Sequence, residues 1–180
     1  AGLNVAIGAA AMESNTTGAS NVAIGSLTLD ANTTGEFNTA IGKEAMTANT
    51  TGDRNVAVGF KALKDMNVTD GSHTFNTAVG FAAGETTSTG TNNTFMGANA
   101  GRANTTAANN TAVGTSALAN NTTGQRNTAI GQQAFLTNTT GSYNTALGRS
   151  ALYSNTTADS NTAVGYESLY NNTTGTQNVA

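Results

Sequence analysis

A parallel β-solenoid is the fold class that the sequence predicts. Three observations predict it: a 17-residue repeat accounting for nearly the whole chain, a glycine at one fixed place in every repeat, and the lack of the turn dipeptides an antiparallel sheet would need. Asn followed by Thr or Val, two apolar residues and Gly begins at Asn4, Asn21, Asn38, Asn55, Asn76, Asn93, Asn110, Asn127, Asn144, Asn161 and, cut short, at Asn178. Nine of the ten intervals are 17 residues, and Asn55 to Asn76 is 21. The consensus is N-[TV]-A-[IVLM]-G-x-x-A-[LMF]-x-x-N-T-T-G-x-x. Ten units form one array over 4–177, with the four-residue insertion inside 55–75, and 1–3 and 178–180 read as parts of flanking repeats of a longer chain.

A unit of this length is too short for paired helices, which need about 33 residues, and for a leucine-rich unit of about 20 to 29. Thr and Asn are also poor helix-interior residues. Asn-Gly never occurs, and Asp-Gly appears only at Asp70-Gly71 in the insertion, so a hairpin meander lacks its turns. Parallel stacking remains, with equivalent positions about 4.8 Å apart and ten coils making a rod of roughly 48 Å.

Each column of the stack has an expected task. Position five is Gly8, Gly25, Gly42, Gly59, Gly80, Gly97, Gly114, Gly131, Gly148 and Gly165, and a second glycine follows the Asn-Thr-Thr stretch, which reads Thr-Ser-Thr before Gly90, at Gly18, Gly35, Gly52, Gly90, Gly124, Gly141 and Gly175. Both columns are expected to be corners using positive φ, the second more loosely because Ala107 and Ala158 also occupy it. Two short extended segments should lie between them, one at Thr-Ala-Ile and one near Asn-Thr-Thr. Position fourteen is expected to be Thr throughout, and the Asn at positions one and twelve should stack into amide ladders. Satisfied ladders substitute for part of an apolar core in a chain only 37% apolar.

Position three is Ala except at Phe95, and position four is Ile7, Ile24, Ile41, Val58, Val79, Met96, Val113, Ile130, Leu147 and Val164. Neighbours on a strand face opposite ways, so both columns cannot fill one thin coil. The uncovered face calls for an identical rod, related by a threefold or twofold axis. Position nine, with Met12, Leu29, Met46, Leu63, Leu118, Phe135, Leu152 and Leu169, fills the coil or extends that contact. Charged residues fall only in variable positions or the insertion, and exposed pairs there contribute about 0 to 1 kcal/mol.

Composition narrows the function classes. Asn, Thr and Gly make up 80 of 180 residues, charged residues are 9% and the net charge is -3, which argues against a nucleic-acid partner and against a charged disordered tail. There is no cysteine for a disulfide or thiolate site, and no apolar run approaches the roughly 20 residues of a membrane-spanning helix. No phosphate loop, paired carboxylates or nucleophile–base pair recurs, so neither catalysis nor a cofactor is expected. The insertion holds the one histidine, His73, which reads as solvent-exposed, with no second ligand for a metal. Asn67, Asp70 and His73 mark a candidate recognition loop, since insertions in repeat arrays bulge from one face. Gly84 and Gly101 replace the large ninth residue in the two following coils and Phe95 replaces Ala, which predicts repacking and the least regular stretch of the rod.

The recurring N-[TV]-A-[IV]-G block resembles the head repeats of trimeric autotransporter adhesins of the YadA type. Similar units occur in bacterial surface proteins and phage tail fibres. The resemblance covers all ten units, although this period is longer than that of those heads. It implies a left-handed β-roll, three chains per fibre, an extracellular, cell-surface or virion-fibre location, and adhesion to host matrix or a cell-surface receptor. Three rival readings come from the residues: ice binding through the Thr column, a glycan scaffold in which Asn-Thr-Thr is the acceptor, and calcium binding, for which the acids are too sporadic.

Overall fold

The computed structural model describes residues 2–180, and they form a parallel β-solenoid without a helix among the described residues. Its strands are β1 Val5–Ile7, β2 Val22–Ile24, β3 Thr39–Ile41, β4 Val56–Val58, β5 Thr77–Val79, β6 Thr94–Met96, β7 Thr111–Val113, β8 Thr128–Ile130, β9 Thr145–Leu147 and β10 Thr162–Val164. They lie in chain order in one ten-stranded parallel sheet. Val22 pairs with Thr39 and Ala23 with Ala40, and the same alignment continues across the insertion, where Ala57 pairs with Ala78. Each coil thus contributes one three-residue strand, where two extended segments were expected. The Asn-Thr-Thr stretch is a bend, because its backbone gathers three donors onto one carbonyl: the N–H groups of Thr16, Thr17 and Gly18 all point to Thr33 O.

The two glycine columns differ in kind. Gly25 has φ +137°, and a Cβ there would stand 2.7 Å from the carbonyl carbon of Gly42, so position five needs glycine for both its backbone and its space. Gly35 does not have positive φ, contrary to expectation. Its column is small because a Cβ would lie 2.5 Å from Asn32 Oδ1 and 2.6 Å from Gly52 O in the next coil. The remaining turning is done by side-chain-bearing residues in the left-handed region at positions seven, nine and seventeen, as at Leu27 (φ 58°), Leu29 (φ 50°) and Phe37 (φ 57°). Such a conformation costs an L-residue about 1 kcal/mol. Stacking offsets it: Leu27 N–H donates to Ala9 O at 2.9 Å, Leu29 N–H to Ala45 O at 3.1 Å and Phe37 N–H to Ala19 O at 3.1 Å.

Inside the coil, Ala at positions three and eight leaves room for the large side chain at nine. Leu29, Met46, Leu63, Leu118, Phe135 and Leu152 are fully buried, each burial contributing roughly 1.5–3 kcal/mol. Phe95 obeys the same volume rule by exchanging columns. A Cβ on Gly101 would lie 2.3 Å from the Phe95 ring and one on Gly84 2.7 Å from it, so one phenyl occupies the space of two missing ninth residues. The backbone stays regular there, with Phe95 aligned between Ala78 and Ala112. The expectation of an irregular stretch therefore fails, because the exchange conserves volume.

Two asparagine ladders run up the rod. At position one, Oδ1 of each Asn accepts the backbone N–H of the next, from Asn4 to Asn21 (2.9 Å) through Asn55 to Asn76 (3.0 Å) to Asn161 and Asn178 (3.0 Å). In regular coils its Nδ2 also donates across the coil, as from Asn21 to Gly35 O at 2.8 Å. At position twelve the bonds pass between side chains, as from Asn49 to Asn32 at 3.0 Å and from Asn138 to Asn121 at 2.8 Å. This second ladder stops where Met66 and Thr87 replace Asn, and again above Asn138, where Asn155 donates only to Ala158 O. Asn49 Oδ1 and Thr87 Oγ1 are left buried without partners, as is Asn138 Oδ1 beside the coil that carries Ala158.

Candidate functional site

The most regular surface is the outer face of the sheet. Position three points in, and positions two and four point out, which decides what alternation alone left open. Ile41 is 37% exposed, Met96 45%, Leu147 43% and Val164 56%, whereas Ala40, Phe95, Ala146 and Ala163 beneath the same strands are fully buried. Ile7 and Ile130 are also exposed, and Ile24, Val58, Val79 and Val113 are half-buried. The stripe at position four is therefore an outer surface and not core. No charged residue occurs at positions two, three or four of any coil.

Columns seventeen and six border this face, one immediately before each strand's Asn and one immediately after its Gly. Both carry aromatic and cationic side chains that sequence reasoning passed over as variable. On one edge the Arg54 guanidinium lies over Phe37 (5.2 Å to the ring centre) and Phe75 (6.0 Å), and Arg126 lies over Tyr143 (5.3 Å) and donates to its hydroxyl. On the other, Phe60 stacks on Phe81 at 5.4 Å and Arg149 lies over Tyr166 at 5.6 Å. The signal available was the spacing: these residues recur at two fixed positions either side of the N-[TV]-A-[IV]-G block.

The insertion gives a small loop. Asn67 faces the rod, accepting the Thr50 hydroxyl at 2.7 Å and donating its N–H to Ser88 O. Position fourteen of this coil is Val68, which ends the expected unbroken Thr column. Asp70 is exposed and accepts the Ser72 N–H at 3.0 Å; hydrogen bonds from Ser72 hold its carboxyl below the usual range. His73 is exposed, with Nδ1 3.0 Å from Asp53 Oδ2 and Arg54 against its ring. The structure thus separates the three candidates: Asn67 belongs to the stack, Asp70 to the loop's own turn and His73 to the Asp53–Arg54 edge. Among the described residues, no group of three or more His, Cys, Asp or Glu could hold a metal ion.

The Thr and Asn columns bear on the rival readings. At position thirteen the hydroxyl is turned along the stack, as from Thr33 to Thr50 O (3.1 Å) and from Thr122 to Thr139 O (2.9 Å). That leaves position fourteen as the outward rank of this bend, with Thr34, Thr106, Thr123 and Thr140 exposed. The acceptor Asn of Asn-Thr-Thr is fully buried at Asn32, Asn104, Asn121 and Asn155, so a glycan has no access to these amides in the folded rod.

No protein-family model matches the chain, and no curated protein or solved structure matches it.

Proposed function

We propose that this chain is a structural and adhesive rod of an extracellular fibre, in which copies associate through the outer sheet face, three to a fibre as left-handed rolls, for attachment to host matrix or a cell-surface receptor or as a fibre shaft. The observation that carries the reading is the uncharged sheet face, whose position four is aliphatic or Met in every coil and whose position two is Val or Thr. A column of ten outward apolar side chains, six of them exposed, is the kind of contiguous surface that marks an association site. Everything else regular in the repeat serves stacking, and its polar columns converge on no reacting centre. Ice binding is less well supported, because the position-thirteen hydroxyls are spent along the stack, and the outward Thr ranks, position two on the sheet and position fourteen on the bend, stand as single ranks on separate parts of the coil.

Sedimentation velocity with small-angle scattering tests this reading. The expected particle is an elongated multimer, and Ile41→Lys with Ile130→Lys should dissociate it while leaving the β-type circular dichroism unchanged. A monomer at all concentrations refutes it.

A further inference from the structure

The two edges of the sheet face change composition together, level by level. Phe37 ends one coil and Lys43 follows the next glycine; six residues also separate Arg54 from Phe60. Phe75 and Phe81, and Tyr143 and Arg149, repeat the relation, so an aromatic ring faces a cation at three levels and another ring at the fourth. Above the first cluster both edges lose their rings and charges together, with Asn92 matched to Ala98 and Asn109 to Thr115. Arg126 with Gln132 and Ser160 with Tyr166 depart from the rule.

Nothing within one chain explains this match. The paired residues lie at opposite ends of an extended segment, up to about 20 Å apart. The aromatic contacts of the rod run up each edge separately, as Phe60 to Phe81 on one side and Arg54 to Phe37 and Phe75 on the other. Backbone preference does not place rings there either, since Phe37 and Phe75 sit at φ 57° and 50°, where Asn92 and Asn109 are better suited. The rings stay half exposed, each at 50%.

We propose that column seventeen of one copy docks against column six of a second copy, the two rods parallel and level with one another. The inference rests on the fibre reading and adds its alignment. When two copies are level, the residue of column six nearest in height to a given member of column seventeen is the one six positions later. The edge contact then places Phe37 by the neighbour's Lys43 and Arg54 by its Phe60, cation against ring. Sliding one copy by a coil sets Lys43 against Arg54 in one direction and Arg126 against Arg149 in the other, like charges in both cases. An antiparallel copy sets each column against itself and loses the match. A contact between unlike edges repeats around a closed ring, and the uncharged strand faces fill its centre.

The chain has no cysteine, so disulfide trapping reads the contact directly. Asn92→Cys with Ala98→Cys in one chain cannot close internally, because a disulfide needs Cα atoms within about 7 Å. On oxidation this double variant should give a covalent ladder on a denaturing gel ending in one closed species. Either cysteine alone should give at least fivefold less cross-linked product, as should Asn92→Cys with Thr115→Cys, which is one coil out of step. If the double variant sediments as an oligomer yet cross-links no better than the single ones, the alignment is overturned and the fibre reading stands. If the unsubstituted chain sediments as a monomer, both fall.

Discussion

Two departures from the repeat, spread over the coils beginning at Asn55, Asn76 and Asn93, come at different cost. In the coil beginning at Asn93, Phe95 takes the place of Ala while Gly84 and Gly101 stand where neighbouring coils have Leu, and the ring occupies the vacated space with the strand register intact. In the coil beginning at Asn55, Met66 takes the place of a ladder Asn, and the polar groups on either side of the gap, Asn49 Oδ1 and Thr87 Oγ1, stay buried and unpaired. Apolar volume can be handed from one column to another because packing is non-directional. A hydrogen bond cannot, because its partner must stand at one place. The position-one ladder survives the same coil: Asn55 still accepts the Asn76 N–H at 3.0 Å, and Thr74 adds its hydroxyl at 2.7 Å. One end of each bond in that ladder is backbone, fixed by the strand pairing, so no side-chain exchange can remove the donor.

The largest effect expected from breaking this contrast is at the ring. Phe95→Ala should destabilise the rod by about 3–5 kcal/mol, since two glycines border the cavity and nothing nearby can collapse into it. Adding Gly84→Leu to that variant should recover part of the loss, because Leu29 and Leu63 already occupy the same left-handed position elsewhere. Urea unfolding followed by circular dichroism measures both. Next in size, Asn127→Ala should cost about 2–3 kcal/mol by orphaning the Asn144 N–H, whereas Thr87→Asn should stabilise by about 1 kcal/mol by giving the Asn104 amide, which donates to Ala107 O, a second acceptor. Amide hydrogen exchange at the neighbouring coils reads these changes locally, which suits an array whose stability is a sum of nearest-neighbour terms. Smallest of all, deleting Thr69 to Ser72 should change stability by less than about 1 kcal/mol, because the loop mainly adds closure entropy. The same deletion should abolish the preferred site of proteolytic nicking.

Much of this was legible beforehand. The period, the position-five corner and the existence of both ladders follow from identities that recur at fixed spacing, and stacking identical side chains leaves them little freedom. The direction of positions three and four was not, since both are apolar and alternation is symmetric between faces. Thickness decides it: a coil that must hold Leu29 admits only Ala23 from the strand. The left-handed Leu, Met and Phe residues were illegible for the opposite reason. Their own preferences argue against that conformation, and only hydrogen bonds to the coils above and below impose it. The second glycine column was misread because a close approach to the next coil and a need for positive φ select the same residue. The edges bordering the sheet face were overlooked because each level differs from the next, so the regularity lies in pairs and not in identities.

The backbone bonds that join coil to coil have a mechanical consequence. A load applied along the rod passes through every junction in series, and when the weakest parts, a coil of 17 residues is released. Fully drawn, they span about 60 Å, against the roughly 5 Å that a seated coil occupies. Each winding is therefore a reserve of slack of more than tenfold its height, and an anchored thread of this kind would lengthen in steps under a sudden pull before breaking.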